Sequence, residues 1–217
     1  MTNPKWFRLP NAWIHAHRLK SFVGGSSLGQ SMAALKILMA ILLKAENKAA
    51  GLAGPTQGSA ALTYDDLMEL ADLSRSMVAK GVKRLQEFGL VDVTSEGRGG
   101  KNRYKFVDYS AASWSKIPYR QIAGVGSPMR VDFLHDLSCR RSTDLNALKL
   151  YFLLCAHRSG ANPYAMIGYN RITEASGIFN PRIRQAISIL IEHGLIKVEQ
   201  EKVGKQNSPN RYHILGS

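Results

Sequence analysis

Val78, Val82 and Leu85 recur at helical spacing, so a helix over residues 75–88 that buries them turns Arg75, Ser76, Ala79, Lys80 and Lys83 the other way. Four of those five side chains donate hydrogen bonds. A guanidinium such as Arg75 forks onto O6 and N7 of guanine, and an ammonium such as Lys80 or Lys83 serves either guanine or a phosphate. The same spacing recurs in Ile183, Ile187 and Leu190, which leaves Asn180, Pro181, Arg182, Arg184, Gln185 and Ser188 outside. Arg184 and Gln185 match guanine and adenine by geometry, while Asn180 suits a helix cap and Pro181 a first helical turn. The plain alternative for both faces is a solvated charged surface.

A basic, glycine-containing stretch follows each of these helices. Residues 96–103 contribute Arg98, Lys101 and Arg103, and residues 201–211 contribute Lys202, Lys205 and Arg211. Cations on such loops reach phosphates or a minor groove. The whole chain of 217 residues carries 29 Lys and Arg against 16 Asp and Glu, a net charge of +13. Both halves share it, at +6 for residues 1–110 and +7 for 111–217. Such an excess favours a polyanion: nucleic acid first, an acidic membrane surface second. The longest apolar stretch, Ile37 to Leu43, lies between Lys36 and Lys44 and falls short of a membrane span, and residues 1–20 show no export signal. A membrane partner is therefore not expected.

Enzyme chemistry finds little support. Gly97-Arg98-Gly99-Gly100-Lys101 lacks the spacing and the strand-to-helix context of a phosphate-binding loop. His15, His17, His135 and Cys139 complete no metal-ligand set, no Gly-x-Ser-x-Gly elbow occurs, and the carboxylates form no pair suited to nuclease metals. No cofactor and no catalytic residue are expected. With Cys139 and Cys155 alone, neither a disulfide framework nor a four-cysteine zinc site can be built, which fits a reducing cytoplasm.

The elements that must position these faces are written twice. Trp6, Arg8, Leu9, Pro10 and Ile14 return in kind 108 positions later as Trp114, Lys116, Ile117, Pro118 and Ile122. Thr63-Tyr64-Asp65-Asp66-Leu67 is matched 105 positions on by Gly168-Tyr169-Asn170-Arg171-Ile172, each with a cap-type residue ahead of a short helix. At the same spacing Val78, Val82, Leu85, Gly89, Leu90 and Val93 answer to Ile183, Ile187, Leu190, Gly194, Leu195 and Val198. Ala34-Leu35-Lys36 and Ala147-Leu148-Lys149 each open an apolar helical pattern, and Asn102-Arg103-Tyr104 and Asn210-Arg211-Tyr212 close the units. Gly89 stands where a helix end wants left-handed backbone, Leu90 to Val93 alternates like a strand, and Lys101 to Phe106 reads as its returning partner. Trp6 and Trp114 are expected to staple an extended arm onto each unit's core, with stacking or phosphate contact through Arg8 and Lys116 as the alternative. Between first and second helices the first unit carries eight extra residues around Gly51 to Ala61, read as a flexible spacer or a partner contact.

Three helices, the last two separated by a tight turn at Asp72 to Ser74, followed by a two-stranded hairpin, make a winged helix-turn-helix. The run Leu67 to Ser74, the helix ending Glu87-Phe88-Gly89-Leu90 and the basic hairpin resemble the winged-helix superfamily in both halves. The tandem arrangement resembles plasmid replication initiators, and the single units are similar to MarR-type regulators and to origin-binding parts of phage replication proteins. The expected fold is α+β, mostly helical, as two domains over 1–110 and 111–217 about a pseudo-two-fold axis. The resemblance implies binding of double-stranded DNA. It leads first to a transcriptional regulator, then to a plasmid or phage replication initiator, and last to a scaffold whose winged helices bind protein. Transcription or replication machinery would be the further partners, and a homodimer is left open.

Overall fold

A computed structural model describes residues 5–46, 56–97, 100–109, 113–123, 131–158, 164–200, 202–203, 206–207 and 209–216. In the first half β1 (Trp6–Pro10), α1 (Ala12–His15), α2 (Leu28–Lys44), β2 (Ser59–Leu62), α3 (Tyr64–Ala71), α4 (Arg75–Glu87), β3 (Val91–Ser95) and β4 (Asn102–Phe106) follow in order. The second half runs β5 (Trp114–Pro118), α5 (Tyr119–Ala123), α6 (Asp132–Asp136), α7 (Ser142–His157), β6 (Tyr164–Met166), α8 (Tyr169–Ser176) and α9 (Asn180–Glu192). It closes with β7 (Ile196–Glu199), β8 (Lys202–Val203), β9 (Gln206–Asn207) and β10 (Arg211–Ile214). The fold is α+β and predominantly helical.

Local chemistry accounts for the boundaries. Thr63 caps α3 reciprocally: its hydroxyl accepts from the Asp66 amide and its own amide donates to the Asp66 carboxylate. Asp72 ends α3 in left-handed backbone at φ 49°, and the Ser74 hydroxyl accepts from the Met77 amide to open α4. Gly89 and Gly194, at φ 56° and 63°, turn the chain out of α4 and α9 into the hairpins.

Each half builds a three-stranded antiparallel sheet of the same order, β2-β4-β3 and β6-β10-β7. The outer strands β2 and β6 are additions to the expected two-stranded hairpins. Residues 59–61, expected as the end of a flexible spacer, lie in β2, paired to Arg103, Tyr104 and Lys105 of β4; residues 51–55 of that spacer lie outside the described residues. On the central strands Tyr104 and Tyr212 are fully buried, and each hydroxyl accepts from an amide two residues earlier, Asn102 or Asn210.

The halves meet along β1 and β5, which pair antiparallel with Arg8 opposite Lys116, Trp6 opposite Pro118 and Pro10 opposite Trp114. A two-fold axis through the Arg8–Lys116 pair generates that register. It also corrects the expectation for the tryptophans. Trp6 and Trp114 stack on each other across the halves, ring centroids 5.5 Å apart and 18° from parallel, rather than each on its own core. Arg8 lies 4.4 Å from the Trp114 centroid and Lys116 lies 4.9 Å from that of Trp6, a reciprocal pair of cation–π contacts. Below the ribbon, the Asn11 side-chain amide donates to the Ser115 hydroxyl at 3.0 Å.

Helices α2 and α7 form the centre, and both start upstream of the alanines expected to open them. In α2 every residue from Ser31 to Leu43 is buried. By length and composition the stretch Gly25–Lys44, of hydropathy 1.5, is long and apolar enough to cross a membrane, which the shorter run from Ile37 did not suggest. Here 72% of its most apolar window is buried inside the protein. Two lysines at like positions share that interior: Lys36 at 1% exposure donates to the Ala71 carbonyl at 3.1 Å, and Lys149 at 4% donates to the Phe22 carbonyl at 3.0 Å. Burial pulls both ammonium groups below their ordinary value, Lys149 to about 8.

Helix α4 rests on α2 at Gly81. A Cβ there would stand 2.6 Å from Ile37 Cδ1 and 2.9 Å from the Ala33 carbonyl carbon. The like position in α9 is Ala186, fully buried. Intrinsic helix propensity favours Gly81→Ala by about 1 kcal/mol. Against that, the backbone contact cannot yield cheaply, and overpacking costs about 1 to 3 kcal/mol. Gly81→Ala is expected to lower the midpoint of denaturant unfolding, and a raised midpoint would refute the close approach.

His15 and His157 meet across the halves with ring centroids 5.2 Å apart. Burial, first, and neighbouring Arg171 and His17 hold both imidazoles below the ordinary value of 6.5, although the His157 Nδ1 donates to the Leu153 carbonyl. The unfolded chain therefore binds protons at these sites before the folded one does, and stability is lost as pH falls below 6.5. Thermal melting from pH 8 to 5 is expected to show that decline. In His157→Gln the decline becomes shallower.

Candidate nucleic-acid interface

The helix pairs α3–α4 and α8–α9 carry the residues expected to read bases on their second helices. Val78, Val82 and Leu85 are buried, while Arg75, Ser76, Ala79, Lys80 and Lys83 are exposed. Ile183, Ile187 and Leu190 are likewise buried, and Asn180, Pro181, Arg182, Arg184, Gln185 and Ser188 are exposed. The apolar spacing thus oriented both helices correctly.

The exposed side chains differ in how free they are. Among the described residues Lys80, Arg182, Arg184 and Gln185 have no side-chain partner. Lys83 lies 4.0 Å from Glu87, an exposed pair whose strength in water is below about 1 kcal/mol. Arg75 is more engaged: it bonds Asp65 at 3.0 Å, and its guanidinium lies 5.5 Å from the Tyr64 ring centroid. Arg75, Tyr64 and Asp65 line a hollow of about 270 Å³ together with Gly100 and Asn102 at the base of the first hairpin. The start of α4 and the first hairpin are thereby brought to one place. The Ser76 hydroxyl shares a hydrogen bond with that of Ser74 at 3.1 Å, and the Ser188 hydroxyl donates back to the Arg184 carbonyl at 3.1 Å.

One expectation on α9 is corrected. Asn180 is the first helical residue rather than the cap; the cap position belongs to Phe179, whose carbonyl accepts from the Arg182 amide at 2.8 Å. Pro181 stands inside the first turn as its missing amide allows. Phe179 was not singled out by sequence reasoning, because an aromatic residue ahead of a helix reads as core. It is 67% exposed, the most exposed large hydrophobic side chain among the described residues.

The hairpin cations divide as well. Lys101 is exposed. Arg103, expected to hold a phosphate, is instead 27% exposed and turned into the protein: it pairs with Glu96, donates to the Ser59 hydroxyl at 3.0 Å and lies 3.9 Å from Glu46. Arg211, at the like position, lies 5.2 Å from the Tyr164 ring centroid. A small hairpin, β8–β9, extends the second tip and contains Lys202 in its backbone. Arg98 and Lys205 lie outside the described residues.

Among the described residues no group of three His, Cys, Asp or Glu is placed to hold a metal ion. Burial raises both thiols above their ordinary value, Cys155 to about 12, so neither is a poised thiolate. No protein-family model matches the chain, and no curated protein matches it.

Arg103→Ala is expected to cost about 1 to 3 kcal/mol of folding stability, because it strips partners from Glu96 and Ser59. Lys80→Ala is expected to stay within about 0.5 kcal/mol. Paired denaturant titrations check the contrast, and equal small effects would return Arg103 to the surface.

Proposed function

We propose that the protein binds double-stranded DNA sequence-specifically, through two tandem winged helix-turn-helix units that read two non-identical half-sites. The observation that carries this reading is the pair of exposed, hydrogen-bond-donating faces on α4 and α9, in a chain of net charge +13. Lys80, Lys83 and Arg75 are the readers on one side, Arg182, Arg184 and Gln185 on the other. Lys101, with Arg98, Lys202 and Lys205, holds phosphates. A pseudo-two-fold relation between the halves suits half-sites about one helical turn apart, and unlike faces predict an asymmetric sequence. Occupancy of a promoter, as by a transcriptional regulator, requires nothing beyond such binding. Directly repeated sites beside an A·T-rich tract would move the assignment to replication initiation.

Selection of bound duplexes from a random library tests the reading. Wild-type protein is expected to enrich one composite asymmetric motif. Lys83→Ala and Arg184→Ala should each cost roughly 1 to 3 kcal/mol and relax specificity in a different half of it. If about 6 to 10 cations neutralise phosphates, affinity falls by about 10³ to 10⁵ between 50 and 200 mM salt. No enrichment, or binding by both variants as tight and as specific as that of the wild type, would overturn the reading.

A further inference from the structure

Phe179 breaks two local rules at one position. The helix-capping position favours a short side-chain acceptor, as Ser74 supplies to the Met77 amide in the first half; Phe179 supplies none, and α9 has no side-chain cap. The ring is also 67% exposed, so most of its apolar area faces water. Either cost alone is ordinary, since single apolar residues are common on surfaces. Both costs fall at the start of the helix whose outer face carries Arg182, Arg184 and Gln185. The backbone there is extended, φ −63° and ψ 129°, and its carbonyl is committed to the Arg182 amide, so the ring's root is anchored while its tip is not. A residue that lowers local stability and sits among groups facing outward is best explained by what it meets when bound.

We infer that Phe179 is a specificity-determining residue of the DNA interface and that its ring packs on the 5-methyl group of a thymine in the half-site read by α9. The inference rests on the DNA-binding reading above. In the major groove the thymine methyl is the one apolar feature that distinguishes its base pair, and an aromatic ring is a suitable partner for it. Arg182, Arg184 and Gln185 donate to purine edges nearby, so the ring supplies the contact their chemistry lacks. The first half has Ser74 at this position and therefore supplies no aromatic contact of this kind.

The test uses full-length protein and the duplex enriched by selection, with each thymine replaced in turn by deoxyuridine, which removes only the methyl group. One replacement in the α9 half-site is expected to weaken wild-type binding about fourfold, the effect of losing one buried methyl-sized contact. The same replacement is expected to leave Phe179→Ser unaffected, while replacements in the other half-site affect both proteins alike. Phe179→Ser restores a capping hydroxyl, so its melting temperature is expected to rise above wild type as its methyl sensitivity disappears. That opposite movement separates a role in recognition from a role in folding. Wild-type binding insensitive to every deoxyuridine in the α9 half-site, or sensitivity retained in Phe179→Ser, overturns the inference while leaving DNA binding intact. Failure of the wild type to enrich any duplex overturns both. A lower melting temperature in Phe179→Ser would make Phe179 a packing residue and also overturn it.

Discussion

A helix buried on every side must be covered from more directions than one small unit supplies, and this protein has two of them. In α2 the buried residues run without a break from Ser31 to Leu43, and α7 is buried from Leu148 to Ala156. An ordinary surface helix would leave a polar stripe to water. Here the remaining sides of each helix are closed by the other half: one continuous hydrophobic core contains Ile37 and Leu38 of α2, Phe152 of α7 and Ile117 of β5. The β1–β5 ribbon, the Trp6–Trp114 stack and the Lys149 bond to the Phe22 carbonyl all cross the same boundary. The repeat boundary near residue 110 is therefore a boundary of pattern, and separating the halves there would expose the sides of α2 and α7.

That central constraint also explains which parts of the structure were legible beforehand. Periodicity located α4 and α9 and faced them correctly, because an amphipathic helix carries its orientation in its own residues. Thr63, Ser74, Gly89 and Gly194 marked boundaries for the same local reason. What escaped was everything set by a partner distant in sequence. Strand β2 consists of Ser-Ala-Ala-Leu, which carries no alternation, and exists because β4 offers it an edge. Trp6 found Trp114, 108 residues away, rather than its own core. Lys36 and Lys149 resembled breaks in apolar runs. Each is instead interior, with one backbone carbonyl as hydrogen-bond acceptor.

The buried lysines bear on the reading of charge. A net charge of +13 suggested a uniformly basic molecule, yet the cations serve unlike purposes. Lys36 and Lys149 lie in the core, Arg103 is turned onto Glu96 and Ser59, Arg84 lies 4.7 Å from the Phe88 ring centroid, and Arg8 and Lys116 cover tryptophans. Sequence position could not separate Arg103 from Lys101, two residues apart on one hairpin; what separates them is that Arg103 lies within β4 beside Glu96 and Ser59, whereas Lys101 stands ahead of the strand and is exposed. Among the described residues, exposed cations remain on the outer faces of α4 and α9, at Arg75, Lys80, Lys83, Arg182 and Arg184, and at Lys101 of the first hairpin, alongside others such as Lys5, Lys20, Lys105 and Arg120 elsewhere on the surface.

Fusion of the two halves in one chain frees their outer faces to diverge. In a symmetric homodimer any change on one outer helix face appears on both, so the two faces stay alike. In one chain the like positions are free to differ, and they do: Gly81 against Ala186 where each helix rests on its scaffold, Ser74 against Phe179 at the cap, Lys80 against Gln185 on the outer face. Gly81 lets α4 approach α2 to backbone contact, whereas the Ala186 side chain is accommodated at the like position of α9, so the scaffolds differ along with the faces they present. A shared core that neither half completes alone makes this divergence tolerable, because register between the faces is held by α2, α7 and the ribbon, not by the residues that vary.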